Sequence, residues 1–122
     1  MPGVSNSCYG GQFTGTWSEA EENCKEQGAH LVSIHSRDEQ DLIATMVGLV
    51  DDWFWIGLYS IDDSHNWIYS DGTPYDYMNW HKGYPGNGNY ECVNIDRDGT
   101  WLNDASCNRN GYAFCRKDIL LH

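Results

Sequence analysis

Only a few polar residues in this sequence have spacings that a chemical site would require. Asp96, Asp98 and Gly99 form an acidic turn that looks like the start of a calcium-binding loop. The later oxygen ligands of such a loop are missing, so we interpret the segment as a hairpin turn. His30 and His35 lie five positions apart, which suits neither a metal-binding pair on a helix nor one face of a strand. We expect both histidines to be structural or exposed.

No pattern in the chain indicates catalysis. A nucleophile elbow, a phosphate-binding loop and a dinucleotide fingerprint are all absent from the sequence. Neighbouring carboxylates such as Asp51 and Asp52 belong to no evident pocket. Ser18 and Ser36 each precede a glutamate by three positions, which is typical of helix caps rather than of catalytic serines. We therefore expect a protein that is not an enzyme.

The cysteines indicate disulfides rather than a metal site. There are five: Cys8, Cys24, Cys92, Cys107 and Cys115. None belongs to a C-x-x-C pair, which argues against zinc held by thiolates. Wide and uneven spacing in a small aromatic chain favours two bridges in an oxidising compartment, with one cysteine left over. Spacing alone leaves the connectivity open.

Composition limits the partners of the chain. We expect a single domain over residues 1–122, because this is the length of one ordinary domain. The formal net charge of −11 repels nucleic acid, so we expect no nucleic-acid partner. The acidic surplus fits extracellular solubility, a cation site or a basic partner. No apolar run is long enough for a membrane span. Residues 1–4 lack the pattern of a signal peptide, so we expect a mature fragment of a secreted or extracellular protein.

The most apolar segment, residues 53–59, predicts the central strand of the fold. It contains Trp55-Ile56-Gly57-Leu58 and is flanked by polar residues on both sides. Its length and aromatic content suit a strand that is buried on both faces better than a helix.

The segments before this strand predict one strand and two helices. Residues 8–16 read as a strand with a bend. Ser18 and Glu21 have the spacing of a capping box, and Gly28 is placed to end the helix that begins there. Residues 29–34 predict a strand or an extended connector.

A second capping pattern, Ser36 with Glu39, precedes apolar residues at helical spacing. This pattern predicts a second amphipathic helix that ends near residues 48–50.

The second half of the chain predicts a long loop followed by short strands. Residues 60–91 are rich in turn signals, with a short strand at residues 66–69. Such a loop is usually functional or disordered. Interleaved aromatic residues argue against disorder and are expected to anchor it: Tyr75, Tyr77, Trp80 and Tyr84. Residues 92–96 and 100–103 predict a hairpin, and residues 112–117 a closing strand.

Taken in order, these motifs resemble the C-type lectin-like domain over residues 8–117. The motifs that carry the resemblance are Cys8-Tyr9, Trp17-Ser18-Glu19-Ala20, Gly28-Ala29-His30-Leu31-Val32-Ser33-Ile34, Glu39-Gln40, Trp55-Ile56-Gly57-Leu58, Tyr69-Ser70-Asp71-Gly72-Thr73-Pro74, Asn79-Trp80, Cys92-Val93, Asn103-Asp104 and Phe114-Cys115. The resemblance implies an α+β fold with two helices, small antiparallel sheets and a long loop region.

The resemblance also implies the bridges Cys24–Cys115 and Cys92–Cys107. In longer family members, the cysteine at the position of Cys8 pairs with one further upstream in an N-terminal hairpin. That partner is absent, so Cys8 is free, pairs between chains, or marks a hairpin that has been cut. We favour a truncated hairpin.

Sugar-binding members of the family hold a calcium ion in the long loop, and this sequence keeps only part of the ligand set. Asn103 and Asp104 match the family pair. The upstream ligand triplet falls on Tyr84-Pro85-Gly86, and a further glutamate falls on Tyr90. Because calcium requires about six to eight oxygen ligands, this set argues against a high-affinity site.

Two expectations remain open for this loop. Asn87, Asn89 and Glu91 could approach Asn103 and Asp104, which would give a weak calcium site at Asn103, Asp104 and Glu91. Alternatively, Asn103 and Asp104 make turn and strand-end hydrogen bonds, which we favour. We expect Trp101 in the core. Tyr84 and Tyr90 replace ligands at the expected sugar surface, where they either contact a ligand or pack the loop.

The resemblance therefore implies an extracellular lectin domain with a degenerate calcium motif and weak or calcium-independent glycan binding. No cofactor is firmly predicted. The alternative is a protein-binding module of the same fold that does not bind sugar, so the expected partner is a glycan or an extracellular protein.

Overall fold

The computed structural model describes residues 7–60, 66–86, 91–103 and 105–118. These ranges form two helices and seven strands. In chain order the elements are β1 (Ser7–Gly15), α1 (Trp17–Glu26), β2 (His30–Leu31), α2 (Arg37–Val50), β3 (Phe54–Ser60), β4 (Trp67–Tyr69), β5 (Cys92–Ile95), β6 (Trp101–Leu102) and β7 (Gly111–Asp118). The predicted α+β class is confirmed.

Strand β3 lies at the centre of the sheet, as the sequence predicts. The path of hydrogen-bonded strands is β1-β7-β3-β5-β6, with β2 paired to β7 and β4 paired to β3. All of these pairs are antiparallel except β3 with β7, which is parallel. Strand β3 therefore has three neighbours, and it connects the first half of the chain to the second.

Both faces of β3 are buried, and they contribute to two different cores. Phe54 stacks on Phe114 with ring centroids 4.4 Å apart in the larger core. Trp55 lies in the smaller core on the other side, beside the Cys24–Cys115 bridge. Phe54 and Trp55 are at most 1% exposed, so alternate side chains of one strand stabilise both sides of the sheet.

Gly57 allows another segment to approach the backbone of β3. Its N–H donates to the Val32 C=O at 2.8 Å. A Cβ at this position would lie 2.9 Å from the Leu31 carbonyl oxygen and 3.1 Å from the Val32 carbonyl oxygen. A larger side chain would push the segment after β2 away from β3.

Helix α1 begins two residues earlier than the sequence predicts. The N-cap is Thr16, whose side chain accepts from the Glu19 N–H, and the Glu19 carboxylate accepts from the Thr16 N–H in return. The predicted capping box of Ser18 with Glu21 is therefore wrong. Glu21 instead points inward, where its carboxylate accepts from the Leu31 N–H at 3.0 Å. The sequence contains two overlapping capping patterns, Thr16 with Glu19 and Ser18 with Glu21. The first one forms, because the Glu21 carboxylate is used inside the fold as an acceptor for the Leu31 N–H.

The end of α1 agrees with the sequence. The helix ends at Glu26, and Gly28 follows with a φ of 73°. This left-handed conformation is favourable for glycine, which closes many helices in this way.

Helix α2 begins at the predicted N-cap Ser36, whose side chain accepts from the Glu39 N–H at 3.2 Å. The box is not reciprocal, because the Glu39 carboxylate accepts from the His35 N–H at 3.3 Å instead. The helix ends at Val50, inside the predicted range, and Asp51 adopts the left-handed cap.

Both disulfides implied by the resemblance are present. Cys24–Cys115 joins α1 to β7, and Cys92–Cys107 joins β5 to the segment after β6. The side chain of Cys8 lies outside the described part of the chain, although its backbone pairs with Lys117. The first bridge therefore connects the first helix covalently to the last strand.

Strands β1 and β7 pair along their length, from Ser7 opposite Asp118 to Gly15 opposite Gly111. A register shift between Gly10 and Phe13 gives the bend that the sequence predicts in the first strand. Within the described ranges, no helix is long and apolar enough to cross a membrane.

Candidate functional site

Aromatic side chains anchor the long loop, as predicted for Tyr75, Tyr77 and Trp80. The Trp80 indole N–H donates to the Tyr75 hydroxyl at 2.8 Å. The Trp80 ring packs against Trp67 at 5.3 Å and against Trp101 at 5.8 Å. All three anchors pack against the larger core, so residues 70–86 are held on the body of the domain.

Backbone hydrogen bonds fasten one edge of the loop to β6. The Trp101 N–H donates to the Asn79 C=O at 2.9 Å, and the His81 N–H donates to the Trp101 C=O at 2.9 Å. Trp101 itself is 0% exposed, and its indole N–H donates to the Gln40 side chain of α2. The expectation that Trp101 belongs to the core is confirmed by this burial.

Asn103 clamps the far end of the loop. Its Oδ1 accepts from the Gly86 N–H at 2.9 Å, and its Nδ2 donates to the Gly86 C=O at 3.3 Å. The side chain is 0% exposed. Strand-end hydrogen bonding is therefore the observed use of this amide, while a binding role for Asn103 stays a prediction.

Tyr84 lies half-buried beside this clamp. Its ring contacts His81 with centroids 6.0 Å apart, and its N–H donates to the His81 C=O at 2.9 Å. The peptide bond between Tyr84 and Pro85 is cis. The sequence places the family's ligand triplet at this position, and the structure places a partly exposed aromatic ring there.

Glu91 is exposed at the other end of the loop. Its C=O accepts from the Ser60 N–H of β3 at 2.8 Å, while its side chain faces solvent. The other predicted site residues lie outside the described residues: Asn87, Asn89, Tyr90 and Asp104. Of the predicted binding set, the structure thus shows Asn103 hydrogen-bonded to Gly86, two residues after Tyr84 in the same loop.

A calcium ion does not fit the residues that the structure describes here. The Asn103 side-chain oxygen is buried and already accepts from Gly86, and Pro85 and Gly86 bring no side-chain oxygen. Within the described ranges, no group of three or more His, Cys, Asp or Glu side chains could hold a metal ion. The weak calcium site predicted at Asn103, Asp104 and Glu91 stays a prediction, because Asp104 lies outside the described residues.

The hairpin turn next to the loop carries a stabilised carboxylate. The Thr100 hydroxyl donates to Asp98 Oδ1 at 2.6 Å, and the Thr100 N–H donates to it at 2.9 Å. These hydrogen bonds, with the side-chain bond the larger effect, hold the pKa of Asp98 below its usual range. His81, whose ring contacts Tyr84, lies 3.9 Å from the same carboxylate.

The two histidines excluded as metal ligands have structural partners. His30 Nδ1 lies 2.6 Å from the Glu21 carboxylate, and His35 Nδ1 lies 2.8 Å from Asp76. Each histidine therefore ties a segment of the first half to a carboxylate, as a structural role requires.

Gln40 and Asn79 belong to the motifs that carry the family resemblance, but the sequence did not predict that they organise the loop. Both side-chain amides donate to the Gly99 C=O, at 2.5 Å and 2.7 Å. Gln40 is 4% exposed on an otherwise apolar helix face, and a polar residue at such a helical position was the available signal.

Comparison with known proteins identifies relatives over most of the chain. A family model described as the lectin C-type domain matches residues 14–117. The mouse protein C-type lectin domain family 4 member A is 37% identical over 95% of this chain. The chain spans less than half the length of such relatives, 47% in this case.

Solved structures match the described architecture. The cow C-type carbohydrate-recognition domain of CD23, determined in the presence of a GlcNAc2Man3 oligosaccharide, is 29% identical with a TM-score of 0.84, covering 99% of this chain and 98% of that one. A calcium-independent type II antifreeze protein is 30% identical with a TM-score of 0.83, covering 98% and 95%.

Proposed function

Because the chain belongs to the C-type lectin family, we propose that it recognises carbohydrate outside the cell through its long loop and without a calcium bridge. Members of this family are recognition domains, and the chain is a binding domain rather than an enzyme. Its two disulfides fit an oxidising, extracellular environment. We propose that the domain is secreted or otherwise extracellular.

The main support for this proposal is that the Asn103 side-chain amide already makes hydrogen bonds to the Gly86 backbone. An amide that exchanges two hydrogen bonds with the loop backbone positions the loop instead of binding an ion. The Tyr84 ring, half-buried next to Gly86, offers a flat apolar surface against which a sugar ring can pack. The exposed Glu91 carboxylate can accept hydrogen bonds from sugar hydroxyls.

The family comparison supports binding that needs no calcium. The antifreeze relative, described as calcium-independent, shares the fold at 30% identity. The cow relative was determined with an oligosaccharide present. In this chain, we propose that one loop binds an oligosaccharide and does so without calcium.

A glycan array, probed with and without a calcium chelator, tests the proposal. We expect the same glycans to be bound in both conditions, and binding to fall at least about tenfold in Tyr84→Ala. Met78→Ala is the matched control, because Met78 is 59% exposed in the same loop and should leave binding unchanged. Absence of glycan binding in both conditions contradicts the proposal, and binding that the chelator abolishes contradicts its calcium-independent part.

Recognition of a polypeptide is the second candidate function. It is favoured by large apolar side chains on the surface of α2, where Leu42 is 44% and Leu49 is 82% exposed. Lone exposed leucines are common on soluble proteins, but two on one helix favour a protein contact. An affinity pull-down that retrieves one defined extracellular protein, lost in Leu49→Glu and kept in Tyr84→Ala, would support this candidate instead.

A further inference from the structure

A small cavity lies beside Trp53, away from the long loop. Its volume is about 180 Å³. Six of the described residues line it: Trp53, Asn94, Asp96, Leu102, Ala105 and Arg109. Because drug-sized ligands occupy cavities of about 300–1,000 Å³, this one suits a single small ring.

Asn94, which lines the cavity, carries a buried polar atom without a partner in the described part of the chain. Asn94 is 4% exposed, and its Oδ1 has no hydrogen-bond partner among the described residues. A buried amide oxygen without a partner is costly and rare in folded proteins. It can be satisfied by a hydrogen-bond donor from a molecule in the cavity.

The rim of the cavity provides both a cation and an anion. The Arg109 guanidinium stacks over the Trp53 ring at 5.6 Å and forms no ion pair with a carboxylate in the described ranges. Asp96 uses Oδ1 to accept from the Arg97 N–H at 2.8 Å, and its other oxygen faces no donor in the part of the chain that the structure describes. Hydrogen-bond donors and acceptors thus converge on one small space.

We propose that this cavity binds a neutral sugar ring. A hydroxyl both donates and accepts, so adjacent hydroxyls can donate to Asn94 and Asp96 and accept from Arg109. Leu102 and the part of the Trp53 indole that Arg109 does not cover give the ring's C–H groups an apolar lining. An anionic ligand would meet Asp96 in a chain of net charge −11, and a cationic ligand would meet Arg109.

A second cavity next to Trp53 offers room for a longer glycan. Trp53 also borders a second cavity of about 280 Å³, which is lined by Thr14, Asp52 and Tyr112 among others. A glycan with one ring at Asn94 therefore has a second polar space available beside the shared Trp53.

This site is independent of the long loop. Asn94 of β5 and Leu102 of β6 are register partners, so both point to the face opposite that of Ile95 and Trp101. Asn103, next along the chain, points away from Leu102 and binds Gly86. Among the residues that the structure describes, this cavity therefore shares no lining residue with the long-loop site.

Two-dimensional ¹H–¹⁵N NMR of the whole chain, titrated with a panel of neutral methyl glycosides, tests the inference. We expect saturable shifts of the Trp53 indole signal and the Asn94 side-chain amide signals. Arg109→Ala should weaken the affinity about tenfold or more, because it removes a charged hydrogen-bond donor. Arg109 is exposed, so this variant should fold like the wild type.

Two further variants complete the design. Asn94→Leu should abolish binding, and if it does not fold, Asp96→Asn on the rim replaces it. Tyr84→Ala should leave the Trp53 and Asn94 shifts intact even if it abolishes binding at the long loop. The inference is overturned if no glycoside shifts these signals saturably at high millimolar concentration, or if Arg109→Ala binds as tightly as the wild type.

Discussion

Asn103 and Gly86 exchange two hydrogen bonds, with the amide oxygen accepting from the Gly86 N–H and the amide nitrogen donating to the Gly86 C=O. An asparagine can satisfy both backbone groups at once because its side chain carries a donor and an acceptor. The geometry of the loop end at Tyr84 depends on this exchange.

Asn103→Asp should lower the free energy of unfolding by at least about 1–3 kcal/mol at neutral pH, since the carboxylate cannot donate to Gly86 and is buried. Urea unfolding with and without millimolar calcium measures this loss. Asn108→Asp, the same change at an exposed position, is the control. If calcium restores the stability of Asn103→Asp, the position binds the ion and our interpretation of the clamp is wrong.

Gly57→Ala should destabilise the fold by about 1–3 kcal/mol, because the new methyl group would press on the Leu31 and Val32 carbonyl oxygens. Gly48→Ala is the opposite case. Gly48 lies in α2, where a Cβ would meet no atom within 4 Å beyond its chain neighbours and the helix's own backbone, so alanine should stabilise by about 0.5–1 kcal/mol. Thermal unfolding of both variants checks the contrast, and equal effects would contradict the close approach at Gly57.

The two disulfides should contribute unequally to stability. Removing Cys92–Cys107, which closes a separation of 15 residues, should cost about 3 kcal/mol in the chain-entropy account. Removing Cys24–Cys115, with a separation of 91, should cost roughly 4–5 kcal/mol. Urea unfolding of the two Cys-to-Ala pairs measures both losses. A larger loss for the shorter bridge would show that local packing outweighs chain entropy.

Asp98 should make stability depend on pH in the acid range. Its pKa is lowered in the folded state by the Thr100 hydroxyl and N–H. Its contribution is therefore present above its unfolded pKa of about 3.9 and is lost as the pH falls through the lower folded pKa. Asp98→Asn should cost up to about 1 kcal/mol at neutral pH, a small value because the carboxylate is largely exposed.

The difference between wild type and Asp98→Asn should shrink as the pH falls below about 4. Unfolding midpoints measured across this range detect it. Glu22→Gln, an exposed charge without a described hydrogen bond, should give a flat difference over the same range. A difference for Asp98→Asn that grows toward acid pH would contradict a lowered pKa in the folded state.

Much of the scaffold could be predicted because its signals are local. The apolar run around Trp55 predicts a doubly buried strand, and the helical spacing of Ile43 and Val47 predicts the buried face of α2. Gly28 predicts the end of α1 from its conformational freedom alone. Each of these features depends on a few neighbours in the sequence.

The features that were missed depend on distant partners. Glu21 does not cap its helix because Leu31 and Ser70, brought close by the fold, require its carboxylate. Asn94 fits the alternation of a strand, and only the packing of Trp53 and Arg109 around it makes it the wall of a cavity. A sequence pattern assigns each residue to one face of a helix or strand, but it does not reveal which distant residues pack against that face.

The bridge between Cys24 and Cys115 determines how the domain responds to mechanical load. If tension pulls Ser7 and Asp118 apart, strands β1 and β7 separate from this end, one residue pair after another. Peeling stops at the covalent link, so only residues 7–24 and 115–118 can extend. This releases roughly 70 Å of chain, from about 20 residues at about 3.5 Å each. Everything between the two cysteines, including Tyr84 and Trp53, stays shielded from the force.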